Sequence, residues 1–291
     1  MRHALRWGLQ RIPPRLQKSS LLHRALTPFG ITLHPERWIF VIGCYNSGTT
    51  LLKKILASHP DIDGLPHEGV VLTDALPRPE EKRWTRMWHK CYDEMRIEPA
   101  GGVKRARRIQ RQWSLHYPNE ATNLLEKSIA NTARIPYLQK HFSPAYFIYI
   151  VRDGYAVAEG IRRKANPARW NNPEYESKYP LDLCARQWRR SDEVVSKTRS
   201  YAEQFLKIGY EQLTEHPIST LRQVTEFLGL SPLPEDVLRG RWDVHGYDEP
   251  IQNMNEQSHR RLTPEEMNRI EAEAAPTLNK HGYSRPRVLS E

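Results

Sequence analysis

The chain has 291 residues, enough for one large α/β domain or two small ones with a real core. It is polar, with 38% hydrophobic residues, and basic, with 44 Lys and Arg against 34 Asp and Glu. The absence of any run of about 20 apolar residues excludes a transmembrane helix. The net charge of +10 suits an anionic ligand, nucleic acid or a membrane surface, or solubility alone.

Residues 1–36 read as a basic N-terminal arm. Arg2, Arg6, Arg11, Arg15, Lys18 and Arg24 occur before the first acid at Glu36. The arm lacks the continuous apolar stretch of a secretory leader, and its acid-free, Arg-rich start also resembles an organelle transit peptide. Leu5, Leu9, Ile12 and Leu16 fall at helical spacing and suit a membrane-surface helix, which Pro13-Pro14 interrupts. The expected arrangement is a partly ordered arm outside the catalytic domain, able to make peripheral membrane contact.

The run RWIFVIGC, Arg37 to Cys44, reads as a buried parallel strand. Leu51, Leu52, Ile55 and Leu56 then recur at helical spacing until His59-Pro60 ends the helix. Residues 77–118 look like a helical insertion. Its stretch VKRARRIQRQW, Val103 to Trp113, carries five cations and no acid, fitting a solvated helix face or a groove for an anionic acceptor. Leu124–Lys127 is a short strand, and Tyr146–Val151 is a second buried strand leading into Arg152-Asp153-Gly154 and a helix. A helix over Leu183–Arg199, a strand-like run over Phe205–Tyr210 and a helix over Ile218–Leu228 capped by Gly229 follow. Pro264–Leu278 is a late helix with Thr263 as N-cap, and residues 286–291 form a tail. This alternation predicts an α/β three-layer sandwich, a parallel sheet flanked by helices. Cys44, Cys91 and Cys184 are odd in number and far apart without metal-ligand spacing; they read as reduced thiols, which favours the cytoplasm.

The stretch FVIGCYNSGTTLLKKILASHP, Phe40 to Pro60, has the strand, glycine-containing turn and helix that a phosphate loop requires. Ser47, Gly48, Thr49 and Thr50 offer backbone amides at a helix start and three hydroxyls. The lysine of a nucleoside-triphosphate loop is missing. Asp153 follows an apolar strand but sits beside Arg152, which argues against a clean metal site.

Four segments carry a resemblance to a known family. GCYNSGTTLLKKILASHPDI resembles the 5′-phosphosulfate loop of sulfotransferases that use 3′-phosphoadenosine-5′-phosphosulfate (PAPS). AYFIYIVRDGYAVAEGIRR resembles their second signature, which binds the 3′-phosphate; LLEKSIANTARIPYLQKHF and FLKIGYEQLTEHPISTLRQVTEFLGL resemble two further segments in the family's order. The likeness covers residues 37–285. It implies a P-loop-like fold and sulfuryl transfer from PAPS, without a metal, to an acceptor hydroxyl or amine, with a glycan as one candidate. The wording of the loop is closer to the carbohydrate and tyrosylprotein branch.

The resemblance places Ser47, Gly48, Thr49 and Thr50 on the 5′-phosphate and Arg152 on the 3′-phosphate. Asn46 stands where relatives carry Lys or Arg to stabilise the leaving oxygen, Gly154 where they carry Pro, and Gly160 where they carry Ser. Glu68 is the candidate base, with His67 as alternative, and a carboxylate base there calls for burial to raise its pKa. Lys127 is expected in the active site, able to supply the charge that Asn46 lacks, while Lys53 and Lys54 point away. Tyr210 and Arg260 are candidates for the nucleotide pocket. An impaired PAPS-binding protein and a P-loop nucleotide enzyme stay open beside the active sulfotransferase. The chain carries no nucleic-acid motif.

Overall fold

The computed structural model describes residues 8–9, 19–118, 122–244 and 247–286. Most of the expected arm, including Leu5, Ile12 and Leu16, lies outside the described residues, as does 287–291 of the tail.

Five parallel strands form the central sheet: β1 (Arg37–Gly43), β2 (Ile62–Gly64), β3 (Asn123–Lys127), β4 (Ala145–Val151) and β5 (Gln204–Gly209). Their order is β2-β3-β1-β4-β5. The chain therefore leaves β1 for one side of the sheet and returns to build the other, so a crevice opens beyond the carboxyl end of β1. Register fixes what meets there. Val41 lies beside Lys127, Gly43 beside Ile150, and Val151 beside Gly209. The residues that follow each strand, from Cys44, Ser128, Arg152 and Tyr210, gather at one edge.

β1 is apolar on both faces because both are covered. Trp38, Phe40 and Ile42 pack with Phe142, Phe147, Ile109 and Trp113, and the Trp38 and Phe142 rings meet edge to face at 5.1 Å. Ile39 and Val41 pack on the other face with Leu52, Ile55 and Leu56 of the loop helix, Thr49–Leu56. A further core joins helices Gly154–Lys164, Leu181–Thr198 and Pro264–Lys280 through Tyr155, Ile161, Trp188 and Met267. Thr263 caps the last of these helices, its hydroxyl accepting from the Glu266 amide at 3.3 Å. The short β2 and the hairpin β6 (Arg241–Val244) and β7 (Tyr247–Pro250) were not legible as strands, being short and poor in apolar runs.

Helix Val103–Trp113 is amphipathic. Lys104, Arg105 and Arg107 face solvent, while Ala106, Ile109 and Trp113 enter the core. Arg108 forks onto Asp74 with two 2.7 Å bonds, and Arg111 donates to the carbonyls of Thr27 and Pro28. With Arg24 also donating to Asp74, these contacts hold the stretch 24–28 against the domain, so this part of the expected arm does not stand apart.

Gly154 has a local explanation. A Cβ there would lie 2.7 Å from the Trp188 ring and 3.0 Å from Leu278. We expect Gly154→Ala to lower unfolding stability by about 1–3 kcal/mol, the usual range for overpacking, as read from the urea midpoint.

Candidate active site

The loop after β1 turns on two left-handed residues, Asn46 at φ 61° and Gly48 at φ 87°. Asparagine tolerates that conformation and glycine adopts it freely. Gly48 is also required by close approach, since a Cβ would stand 2.6 Å from the Tyr210 ring. No side chain caps the helix that begins at Thr49. Its first amides and its dipole are thus left for an anion. The Ser47 hydroxyl is buried without a partner, while Thr49 and Thr50 line the adjoining cavity. Lys53 donates to the Leu65 carbonyl and Lys54 reaches Asp243, so both point away from the loop as expected.

Arg152 follows β4 and is only 8% exposed. Its Nε donates to Asn255 Oδ1 at 2.7 Å and its Nη1 to the Asn46 carbonyl at 2.8 Å. The guanidinium lies 4.2 Å from the centre of the Tyr210 ring. Its Nη2 is buried with no partner. Arg152 does not pair with its neighbour Asp153. Asp153 instead caps the next helix, accepting from the Tyr155 amide at 2.9 Å, and pairs with His259. Asn255 is itself held: its Nδ2 donates to Glu211, whose other oxygen accepts from the Tyr283 hydroxyl at 3.0 Å.

The carboxyl end of β3 grips the segment after β2. Glu126 accepts from the Gly69 amide at 2.8 Å, and Ser128 accepts from the Val70 amide at 3.1 Å. Between them Lys127, 9% exposed, pairs with Glu68, 37% exposed. Glu68 thus has an ammonium neighbour in place of the burial expected for a carboxylate base. The buried acid is Glu126, which desolvation pushes up to about 7. Gly69 has to be glycine, since a Cβ would lie 2.6 Å from Trp113 and 2.7 Å from Glu126.

These groups line one cavity of about 560 Å³, a size that suits a nucleotide-scale ligand. Asn46, Gly48, Thr49, Thr50, Glu68, Lys127, Arg152 and Tyr210 all face it. His67 does not line it. Arg260 pairs with Glu256 on the exposed surface, and its neighbour Arg261 lines the cavity instead. The insertion contributes Glu80, Thr85 and Arg86 to the wall, whereas its basic helix contributes nothing there. Burial lowers the Arg86 pKa and raises that of Glu80. Lys164, also in the wall, is lowered to about 8 by burial and by the charges of Arg86, Arg163 and Arg152. Asn255, Glu211, Glu126 and Lys164 were not singled out from sequence; only the Tyr-Glu and Glu-Lys-Ser wording around two of them offered a signal. Among the described residues no cluster of His, Cys, Asp and Glu could hold a metal ion. The three thiols are free and buried, and burial pushes Cys44 up to about 12.

The sequence matches the family described as Sulfotransferase family over residues 38–235, more than half of the chain. The protein belongs to the sulfotransferase family. It is similar to protein-tyrosine sulfotransferase 1 of Danio rerio, 29% identical over 66% of this chain and 53% of the relative. It is 25% identical to protein-tyrosine sulfotransferase A of Caenorhabditis elegans, over 78% of this chain and 58% of the relative. The chain thus spans little more than half the length of these relatives. In fold it is similar to the sulfotransferase domain from the curacin biosynthetic pathway, with TM-score 0.55, 19% identity and coverage of 88% of this chain and 100% of the other. A sulfotransferase from Mycobacterium avium gives TM-score 0.54 at 14% identity, covering 94% and 83%. Family membership supports PAPS as the cosubstrate, and the orphaned donors of Arg152 and Asn46 with the uncapped loop helix fit its anionic groups.

Two pH responses follow. Lys164 loses its charge as pH rises through about 8, so affinity for 3′-phosphoadenosine 5′-phosphate (PAP) should fall between pH 7 and 9; calorimetry of Lys164→Gln should show a flatter profile. Native Glu126 keeps its proton to higher pH than the unfolded chain, whose carboxyl titrates near 4.5. Its contribution to stability is therefore full below about 4.5 and declines as pH rises to about 7. Urea melts of Glu126→Gln across that window should lack this decline.

Proposed function

We propose that the protein transfers the sulfuryl group of PAPS to an acceptor hydroxyl, with a tyrosyl phenol as the acceptor. The observation that carries the reading is a buried arginine with an unpartnered donor in the same cavity as an uncapped loop helix and a Glu–Lys pair. The names of the relatives, which specify protein tyrosine, support the phenol over the glycan expected from sequence.

Bound PAPS would supply an activated sulfur–oxygen bond. The loop amides hold its 5′-phosphate and Arg152 its remote phosphate, which fixes the sulfur in line with the acceptor. Glu68 takes the acceptor proton as the acceptor oxygen bonds to sulfur. Lys127 and the loop amides stabilise the negative charge left on the 5′-phosphate oxygen when the bridging bond breaks. The charge that Asn46 does not bring comes from Lys127, which β3 sets beside β1. Active transfer is thus favoured over an impaired binding protein. The absence of a lysine at Thr49, where a nucleoside-triphosphate loop carries one, weighs against the P-loop nucleotide enzyme.

Calorimetry should give micromolar binding of PAP and none of ATP with Mg²⁺. Arg152→Ala should weaken PAP binding about 10–100-fold. With labelled PAPS and a tyrosine-containing peptide, Glu68→Gln should lower turnover about 100-fold or more with PAP affinity little changed. Mg²⁺-dependent ATP binding without PAP binding would overturn the assignment.

A further inference from the structure

We infer that the side-chain amide of Asn46 donates directly to the phosphate held by Arg152, and that Gly160 is small because Asn46 occupies its place. This rests on the PAPS reading above and moves Asn46 from the leaving oxygen, where the resemblance places it, to the remote phosphate.

The backbone of Asn46 faces Arg152, its carbonyl accepting from Nη1 at 2.8 Å. Its side chain leans over Gly160 on the helix that follows Arg152. A Cβ at Gly160 would lie 3.0 Å from Asn46 Cγ, 3.1 Å from its Cβ and 3.2 Å from its Nδ2. A Cβ at 160 would press the Asn46 side chain aside by a few tenths of an ångström, and a larger side chain would press it further. Asn46, Arg152 and Gly160 line the same cavity.

The donors there are unequally used. Asn46 Nδ2 is buried and has no partner, and Arg152 Nη2 is in the same condition. A buried, unmet donor is destabilising, and two on residues already joined through the Asn46 carbonyl can be met by a single acceptor with more than one oxygen. A phosphate is such an acceptor. It would take charge and a hydrogen bond from the guanidinium and direction from the neutral amide. Arg163 and Arg261 also line this end, but Glu159 pairs with both, so their charge is partly met within the protein. Among the described residues lining the cavity, Arg152 Nη2, Asn46 Nδ2 and Trp242 Nε1 are buried donors that no protein group meets, and the first two belong to residues bonded to each other.

The left-handed backbone of residue 46 dictates the test. Asn46→Gly keeps that conformation and removes only the amide. Calorimetry would compare PAP with adenosine 5′-phosphate, which lacks the remote phosphate. Affinity for PAP should fall about tenfold or more, and affinity for adenosine 5′-phosphate less than about threefold. Gly160→Ser alone should also weaken PAP selectively by displacing the amide, and combining it with Asn46→Gly should recover affinity. Equal losses for both ligands in Asn46→Gly, or unchanged PAP binding in Gly160→Ser, would overturn the inference while leaving the PAPS reading intact. A wild type that binds PAP no better than adenosine 5′-phosphate would bring down both.

Discussion

An arginine taken out of water costs several kcal/mol unless its donors find partners. Arg152 offsets that with a side-chain amide from Asn255, a carbonyl from the phosphate loop and the face of Tyr210. Each partner belongs to a different part of the chain. Asn46 comes from the turn after β1, Tyr210 from the turn after β5, and Asn255 from a helix beyond the hairpin. The guanidinium therefore fixes these segments to one another. Tyr210 has the same double use, since its ring covers Gly48 and its hydroxyl accepts from the Met254 amide at 3.1 Å.

A second, smaller assembly lies where β3 meets the segment after β2. Three successive residues of β3 and its exit act on three successive residues of the facing segment. Glu126 and Ser128 hold the backbone of Gly69 and Val70, and Lys127 meets the side chain of Glu68. A strand alternates its side chains, so the outer two residues can reach backbone while the middle one reaches a carboxylate. The glycine at 69 is what lets the two segments approach so closely.

Much of this was legible because it is local. Strands β1, β3, β4 and β5, the loop and the helix after Arg152 have short apolar runs with clear punctuation. Arg152, Lys127 and Glu68 could be named because the resemblance marks their places in or beside its quoted segments. What was not legible depends on contacts between distant segments. Gly154 and Gly160 looked like isolated departures from a pattern, yet one makes room for Trp188 and the other for Asn46. Asn255 gave no signal and Glu211 only the Tyr-Glu wording, because their importance lies in holding Arg152 across more than 50 intervening residues. Arg260 and Arg261 both fall where the resemblance puts a late loop over the nucleotide, and the wording alone did not separate the one that meets the cavity from the one that does not.

The relay from Tyr283 through Glu211 and Asn255 to Arg152 has a temporal consequence. A ribosome releases the phosphate loop long before it releases Asn255 or Tyr283. The groups that clasp the arginine are thus among the last of the cavity to emerge. Its side chain finds its full set of protein partners only once residue 283 has been made.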